Sequence, residues 1–306
     1  MILKVKHITK RYKDILAVDD VSLESSGGRI YGLLGRNGAG KTTLIKTIMG
    51  IIKPDNGNVE IKFEDNEKGE KSIGYLPEER GLYLNISVKD QLLFIARLNG
   101  LSKEEAMKNI SFYLKELGIS NYLDRKLKQL SKGNKQKIQL ISALIHNPSL
   151  IILDEPFSGL DPVNVAIFKN LILKCRDSGK LILLSSHRLE DVEEICDEVL
   201  FLKKGKAFIQ GPVKQITKDY TTNNDILIIT DTNADTYFKK LDLIYRKTDD
   251  CSYFVKYEFY GRIMKLLNEL LLNNINLVQF KIVQTTLNDI FVRELNDENE
   301  KSLIGS

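Results

Sequence analysis

The chain has 306 residues, of which 42% are hydrophobic and 28% charged, with a formal net charge of +4. That is a globular composition at a length suited to two domains, and the charge is too small to argue for nucleic acid, so no such partner is expected. Cys175, Cys196 and Cys251 have no metal-ligand spacing and fit a reducing compartment; no signal-peptide core and no run of about 18 apolar residues occurs, which predicts a soluble, intracellular chain.

In chain order, residues 2–9 read as a strand and Ala17 to Glu24 as a second, with Tyr12 in the turn between them. The Tyr12 ring is either a scattered exposed aromatic or a face on which a nucleobase stacks. Gly27-Gly28 turns the chain into the apolar run Ile30 to Leu34. There follows Gly35-Arg36-Asn37-Gly38-Ala39-Gly40-Lys41-Thr42-Thr43, which opens a helical run from Leu44 to Met49. Strand, glycine-rich turn, helix is the setting in which G-x-x-x-x-G-K-[ST] binds phosphate. Glycines let successive N–H groups point into one concavity, and the start of the helix adds its positive dipole end. Lys41 can then reach the β- and γ-phosphates, and the Thr42 hydroxyl can ligate Mg²⁺. The first 223 residues carry 35 Lys/Arg against 28 Asp/Glu, a mild basic excess that suits an anionic ligand.

Pro54 to Gly57 is a turn, Val59 to Phe63 a short strand, and Glu64 to Lys71 a charged, solvated hairpin tip. Ser72 to Leu76 is a strand that ends in Pro77-Glu78-Glu79-Arg80-Gly81. Charged side chains beyond a strand's carboxyl end sit where ligands bind in open α/β sheets, although an exposed loop has the same composition. From Ser87 to Gly118 the pattern is helical. Ser102 to Glu105 forms a capping box, and Ala106, Ile110, Tyr113, Leu114 and Leu117 fall on one apolar face.

Leu130-Ser131-Lys132-Gly133-Asn134 begins another helix, with Ser131 as N-cap, and is either a plain capped helix or a second anion site. Leu150 to Leu153 is an unbroken apolar run, read as a buried parallel strand that delivers Asp154 and Glu155 to the carboxyl end of the sheet. An acid there can hold Mg²⁺, and its neighbour can take a proton from an attacking water. Phe157 to Pro162 turns into a helix from Val163. Leu181 to Leu184 is the next buried strand, and His187 at its end is placed to hydrogen-bond a phosphate oxygen or to serve a purely structural bond. A helix (Leu189 to Ile195) and a strand (Glu198 to Leu202) complete the layer.

Together these stretches resemble the ATP-binding-cassette ATPases. Gly35 to Thr43 matches the Walker A loop, Ile151 to Glu155 the Walker B strand, Ser158 to Asp161 the D-loop and His187 the switch histidine. Leu130 to Asn134 resembles the signature motif, with Ser131 standing 23 residues before Asp154. The resemblance covers roughly residues 1–220. It implies an α/β fold with a P-loop NTPase core, an antiparallel β subdomain and a helical subdomain at about 85–145. It also implies a head-to-tail pair of cassettes, either a homodimer or two paired chains, closing on ATP and Mg²⁺. Carried over by resemblance, Tyr12 stacks on adenine, and Asn37, Gly38, Ala39, Gly40, Lys41, Thr42 and Thr43 hold the phosphates. Thr42 and Asp154 hold Mg²⁺, with Glu78 near the metal; Glu155 is the general base and His187 senses the γ-phosphate. Ser131, Gly133 and Asp161 approach the partner cassette's nucleotide.

Two departures stand out. Lys132 and Asn134 replace a glycine and the glutamine of the usual Leu-Ser-Gly-Gly-Gln, and Glu78 stands where a glutamine is usual. With Leu76 to Tyr83 and Asp154 to Asp161, they resemble a subfamily near the sodium-extrusion and drug-export cassettes. That resemblance implies a separate polytopic permease, docked by the Glu78 to Tyr83 loop and the 87–118 helices, and a place at the inner face of the cell membrane. A soluble cassette acting on translation or DNA is the alternative; it usually carries two cassettes per chain or long coiled-coil insertions, and only 90 residues separate Lys41 from Ser131. A binding switch without turnover would be expected to lack Glu155 or His187.

Residues 221–306 read as a small α+β accessory or regulatory domain. Strands at Asp225 to Thr230, Leu243 to Lys247, Ser252 to Glu258 and Val278 to Val283 alternate with helices at Asn233 to Lys240 and Gly261 to Asn273. This β-α-β-β-α-β order is ferredoxin-like. A last helix, Thr286 to Leu295, precedes a disordered tail at 296–306.

Overall fold

The computed structural model describes residues 1–63, 73–79, 81–220, 225–256, 260–283 and 285–292. The expected hairpin tip at 64–71, Arg80 and the tail from 293 lie outside them. By their contacts the residues divide into two units, 1–213 and 214–306.

The first unit opens with β1 (Ile2–Tyr12) and β2 (Ile15–Ser26), an antiparallel pair joined by a two-residue turn. Tyr12 is therefore the last residue of a strand, paired with Ile15, rather than a turn residue. Alternation, reset by irregularities at His7 and Asp20, puts Leu3, Val5 and Ile8 of β1 and Val18, Val21 and Leu23 of β2 on one buried face. β3 (Arg29–Leu34) leads into α1 (Lys41–Ile48), and β4 (Asn56–Lys62) returns to pair with β1, giving a three-stranded antiparallel sheet.

β5 (Ile73–Leu76) is followed by a helical layer of α2 (Val88–Leu98), α3 (Lys103–Glu116) and α4 (Lys132–Leu144). The Ser102–Glu105 capping box forms as expected, and the apolar face from Ala106 to Leu117 is buried. The remaining elements of this unit are β6 (Leu150–Asp154), α5 (Pro162–Asp177), β7 (Leu181–Ser186), α6 (Leu189–Ile195), β8 (Glu198–Lys203) and β9 (Lys206–Pro212). Every residue of β6 and β7 is buried, which explains the unbroken apolar runs.

These strands form a six-stranded sheet in the order β5-β6-β7-β3-β8-β9, parallel except for the β9 edge. β3, β7 and β6 are thus adjacent and point the same way. Leu34 pairs with Ser186, and Ser185 with Asp154, so the carboxyl ends of three strands finish at one level.

The expected boundary near 220 stands at the end of α7 (Val213–Tyr220), whereas the contacts divide the chain at its start, where Pro212 closes β9. The second unit holds β10 (Asp225–Thr230), α8 (Asp235–Lys240), β11 (Tyr245–Lys247), β12 (Ser252–Lys256), α9 (Tyr260–Leu272) and β13 (Leu277–Val283). Its antiparallel sheet runs β11-β12-β10-β13, the ferredoxin-like arrangement, around a core that includes Ile226, Phe238, Tyr253 and Leu266.

Candidate functional site

The loop from Gly35 to Gly40 is shaped by two close approaches. A Cβ at Gly35 would lie 2.4 Å from the Leu202 carbonyl oxygen, and one at Gly40 would lie 2.3 Å from that of Ala17. Both residues also hold positive φ, 149° and 107°, so only glycine fits. The Gly205 N–H donates to the Ala39 carbonyl and the Asp19 N–H to that of Gly205, which ties the loop to β2 and the β8–β9 turn.

α2, α3, α4 and α5 each begin with a side-chain cap, from Ser87, Ser102, Ser131 and Asp161. α1 begins at Gly40 with none. Its first-turn N–H groups are left without a side-chain cap where Gly40 to Thr43 bound a cleft, at the positive end of the helix dipole, an arrangement that suits an anion.

A cleft of about 440 Å³ opens over this loop. It is bounded by the whole Arg36 to Thr43 stretch, by Glu78, Asp154 and Glu155, and by Ile15, Ala17 and Lys204. The Lys41 ammonium donates to the Gly35 carbonyl at 2.7 Å and lies 3.4 Å from Glu155 Oε1. The Thr42 hydroxyl donates to Asp154 Oδ2 at 3.1 Å, while the Ser185 hydroxyl donates to Asp154 Oδ1. The Glu155 N–H in turn donates to Ser185 Oγ at 3.0 Å. His187 Nδ1 lies 2.8 Å from Glu155 Oε2, with donor and acceptor set by the tautomer. Glu155 Oε1 is buried without a hydrogen bond, the Lys41 contact being ionic rather than well aligned.

The donor set fits Mg²⁺. Thr42 and Asp154 offer two hard oxygens, and their 3.1 Å separation is close to the edge of an octahedron with bonds of about 2.1 Å. Asp154 is a single fixed carboxylate, which suits an ion that takes its other ligands from phosphates and water. Glu78 is exposed at the rim. Burial first, and then the charges of Asp154 and Glu78, push the Tyr75 phenol up to about 12, so Glu78 acts electrostatically on the same region.

Not every expected residue converges here. Tyr12 is 43% exposed at the end of β1, under the Lys10 ammonium and outside the residues that bound the cleft. Ser131 and Gly133 stand at the start of α4, and Asp161 at the start of α5; none of the three bounds the cleft. Asp161 spends both carboxylate oxygens on Asn164, which holds its carboxyl below the usual range. Sequence reasoning missed Ser185, which orders Asp154 and Glu155 at once, as well as the Ile15, Ala17 and Lys204 walls. The Ser185-Ser186-His187 run was the available signal for the first. The walls come from a strand and a turn whose role only the tertiary fold reveals.

The ABC transporter family profile matches residues 18–158. An uncharacterized ABC transporter ATP-binding protein of Bacillus subtilis, YhaQ, is 47% identical over 223 residues, 72% of this chain and 75% of that protein. The lipopolysaccharide export system ATP-binding protein LptB of Escherichia coli is 34% identical over 224 residues, 71% of this chain and 93% of that protein. A solved ATP-binding subunit of an ABC transporter superposes with a TM-score of 0.66 at 31% identity, covering 72% of this chain and 93% of that one. The chain belongs to the ABC transporter ATP-binding proteins, as the motifs implied. It is an ATP-binding, ATP-hydrolysing subunit of an ABC transporter.

Proposed function

We propose that the cleft binds Mg-ATP and that its turnover drives a separate polytopic membrane permease. The convergence of the β3, β6 and β7 carboxyl ends on the glycine loop carries this reading. Lys41 and the uncapped amides of α1 take the β- and γ-phosphates. Thr42 and Asp154 would hold Mg²⁺, whose charge would neutralise and orient the phosphate oxygens. Glu155 accepts the proton of the attacking water, and Ser185 fixes the backbone that aims it. His187, hydrogen-bonded to Glu155, reports the γ-phosphate to the strand end that carries it.

Ser131, Gly133 and Asp161 lie outside the chain's own cleft, an arrangement that suits the signature and D-loop of one cassette serving the nucleotide of another. Tyr12, exposed and outside the cleft lining, is proposed as the adenine platform on resemblance alone. By the same resemblance the paired cassettes would sit at the inner face of the membrane through the permease; no helix among the described residues is long and apolar enough to cross. The Leu76 to Tyr83 and Leu130 to Asn134 variants favour a sodium-extrusion or drug-export type of system, and hence export. The second unit, without a metal-binding cluster among its described residues, serves as an accessory or regulatory domain.

A tagged Glu155→Gln chain, recovered from native membranes in mild detergent with and without Mg-ATP, tests the coupling. A polytopic membrane protein copurifying with it is the expected result. Ribosomes or nucleic acid in its place would replace the permease by the soluble alternative.

A further inference from the structure

His187 stands in a short link between Ser186, the last residue of β7, and Leu189, the first of α6. Its side chain is about half exposed, and its hydrogen bond to Glu155 is made from that exposed position. Which rotamers an exposed ring on one bond can take, and whether they reach Glu155, depend on its backbone φ/ψ. Two contacts hold it. The Arg188 N–H donates to Ser186 Oγ at 3.0 Å, closing the link around the histidine. On the other side, Arg188 Nε lies 2.9 Å from Asp191 Oδ2, an ionic contact rather than a well-aligned hydrogen bond.

Asp191 is 4% exposed, and its other oxygen lies 2.9 Å from Lys169 Nζ on α5. Lys169 also pairs with Glu194, one turn further along α6. Burial disfavours the Lys169 charge, but the two carboxylates outweigh it and hold the ammonium above its ordinary value. With one lysine shared between two acids, the remaining negative charge falls to Arg188. The group is neutral only when Arg188 is included, so the link is drawn onto α5 and α6 by the charge that Asp191 leaves unmatched.

We propose that Asp191 is a positioning residue for the switch histidine: its buried carboxylate, gripped by Lys169, anchors Arg188 and so holds His187 against Glu155. The inference rests on the role given to His187 above. Asp191 touches neither nucleotide site nor base, so its effect belongs in turnover rather than in ATP binding.

The test measures kcat, KM for ATP and Tm for Asp191→Asn and Arg188→Met, each alone and with His187→Ala. Each single variant is expected to lower kcat about tenfold with KM within about twofold. Arg188→Met changes a partly exposed side chain and leaves Asp191 its Lys169 partner, so it should lower Tm less than Asp191→Asn and reads the anchor even if Asp191→Asn unfolds. With His187→Ala already present, neither substitution should lower kcat further. An equal fold loss in both backgrounds, or parent kcat in both single variants, would overturn the anchor. Parent kcat in His187→Ala alone would instead overturn the histidine's role, and the anchor with it.

Discussion

Glu155 holds a left-handed backbone conformation, φ 52°, which costs a non-glycine residue about 1–3 kcal/mol and persists only where its surroundings impose it. Here Ser185 imposes it, accepting the Glu155 N–H through both its carbonyl and its hydroxyl oxygens. The strain aims a buried carboxylate between Lys41 and His187, as a pre-set base requires. Glu78 is the residue where charge and role can be separated. Glu78→Gln removes a rim charge that already acts on Tyr75, so the Mg²⁺ concentration for half-maximal turnover should rise; an unchanged titration would make Glu78 purely structural. His146 offers a pH prediction away from the site. Burial holds its imidazole below the ordinary 6.5, with the Ile73 carbonyl partly opposing. The unfolded chain therefore binds the proton first, and stability from the neutral ring is intact above 6.5 and falls as pH drops below it. The Tm advantage of the parent over His146→Asn should shrink between pH 7.5 and 5.5, and a pH-independent difference would contradict the assignment.

At the scale of elements, α1 is set apart by where it starts: like α6 it lacks the side-chain cap that α2 to α5 possess, but it begins directly from the glycine loop that bounds the cleft. Gly40→Ala tests this through geometry rather than charge. Its Cβ would meet the Ala17 carbonyl at 2.3 Å and adopt a φ reserved for glycine, so the loop must move away from β2. ATP affinity should fall at least tenfold while the cooperative unfolding transition survives; parent affinity would mean that the loop's shape does not set the site. The elements also show what sequence can reveal. The glycine loop, the buried β6 and β7 and the Ser102 capping box were legible because each carries a local rule: a motif, an unbroken apolar run, a cap. β9 and α7 were not. β9 is a partly exposed antiparallel edge ending in Gly211 and Pro212, where no strong alternation survives.

At the scale of the molecule, strand order converts distant residues into one site. Lys41, Asp154 and His187 are far apart in the chain, but Asp154 ends β6, His187 follows β7 and Lys41 follows the loop after β3, and the three strands are neighbours in the sheet through crossovers that no local pattern encodes. That is why Ser185 and the Ala17 and Lys204 walls escaped sequence reading; Tyr12, expected in a turn, differs for a local reason, since the hairpin turn is only two residues and β1 runs on to pair Tyr12 with Ile15 of β2. It also explains why Ser131 and Gly133, legible as a signature, stay outside the cleft of their own chain. The most direct test of the account is the purified Glu155→Gln chain, assayed for ATP binding, turnover and mass in solution with Mg-ATP. Retained ATP affinity, turnover lowered by roughly 10²–10⁴-fold and a mass that doubles only with the nucleotide are expected. Turnover at the parent rate would place the base elsewhere and contradict the mechanism.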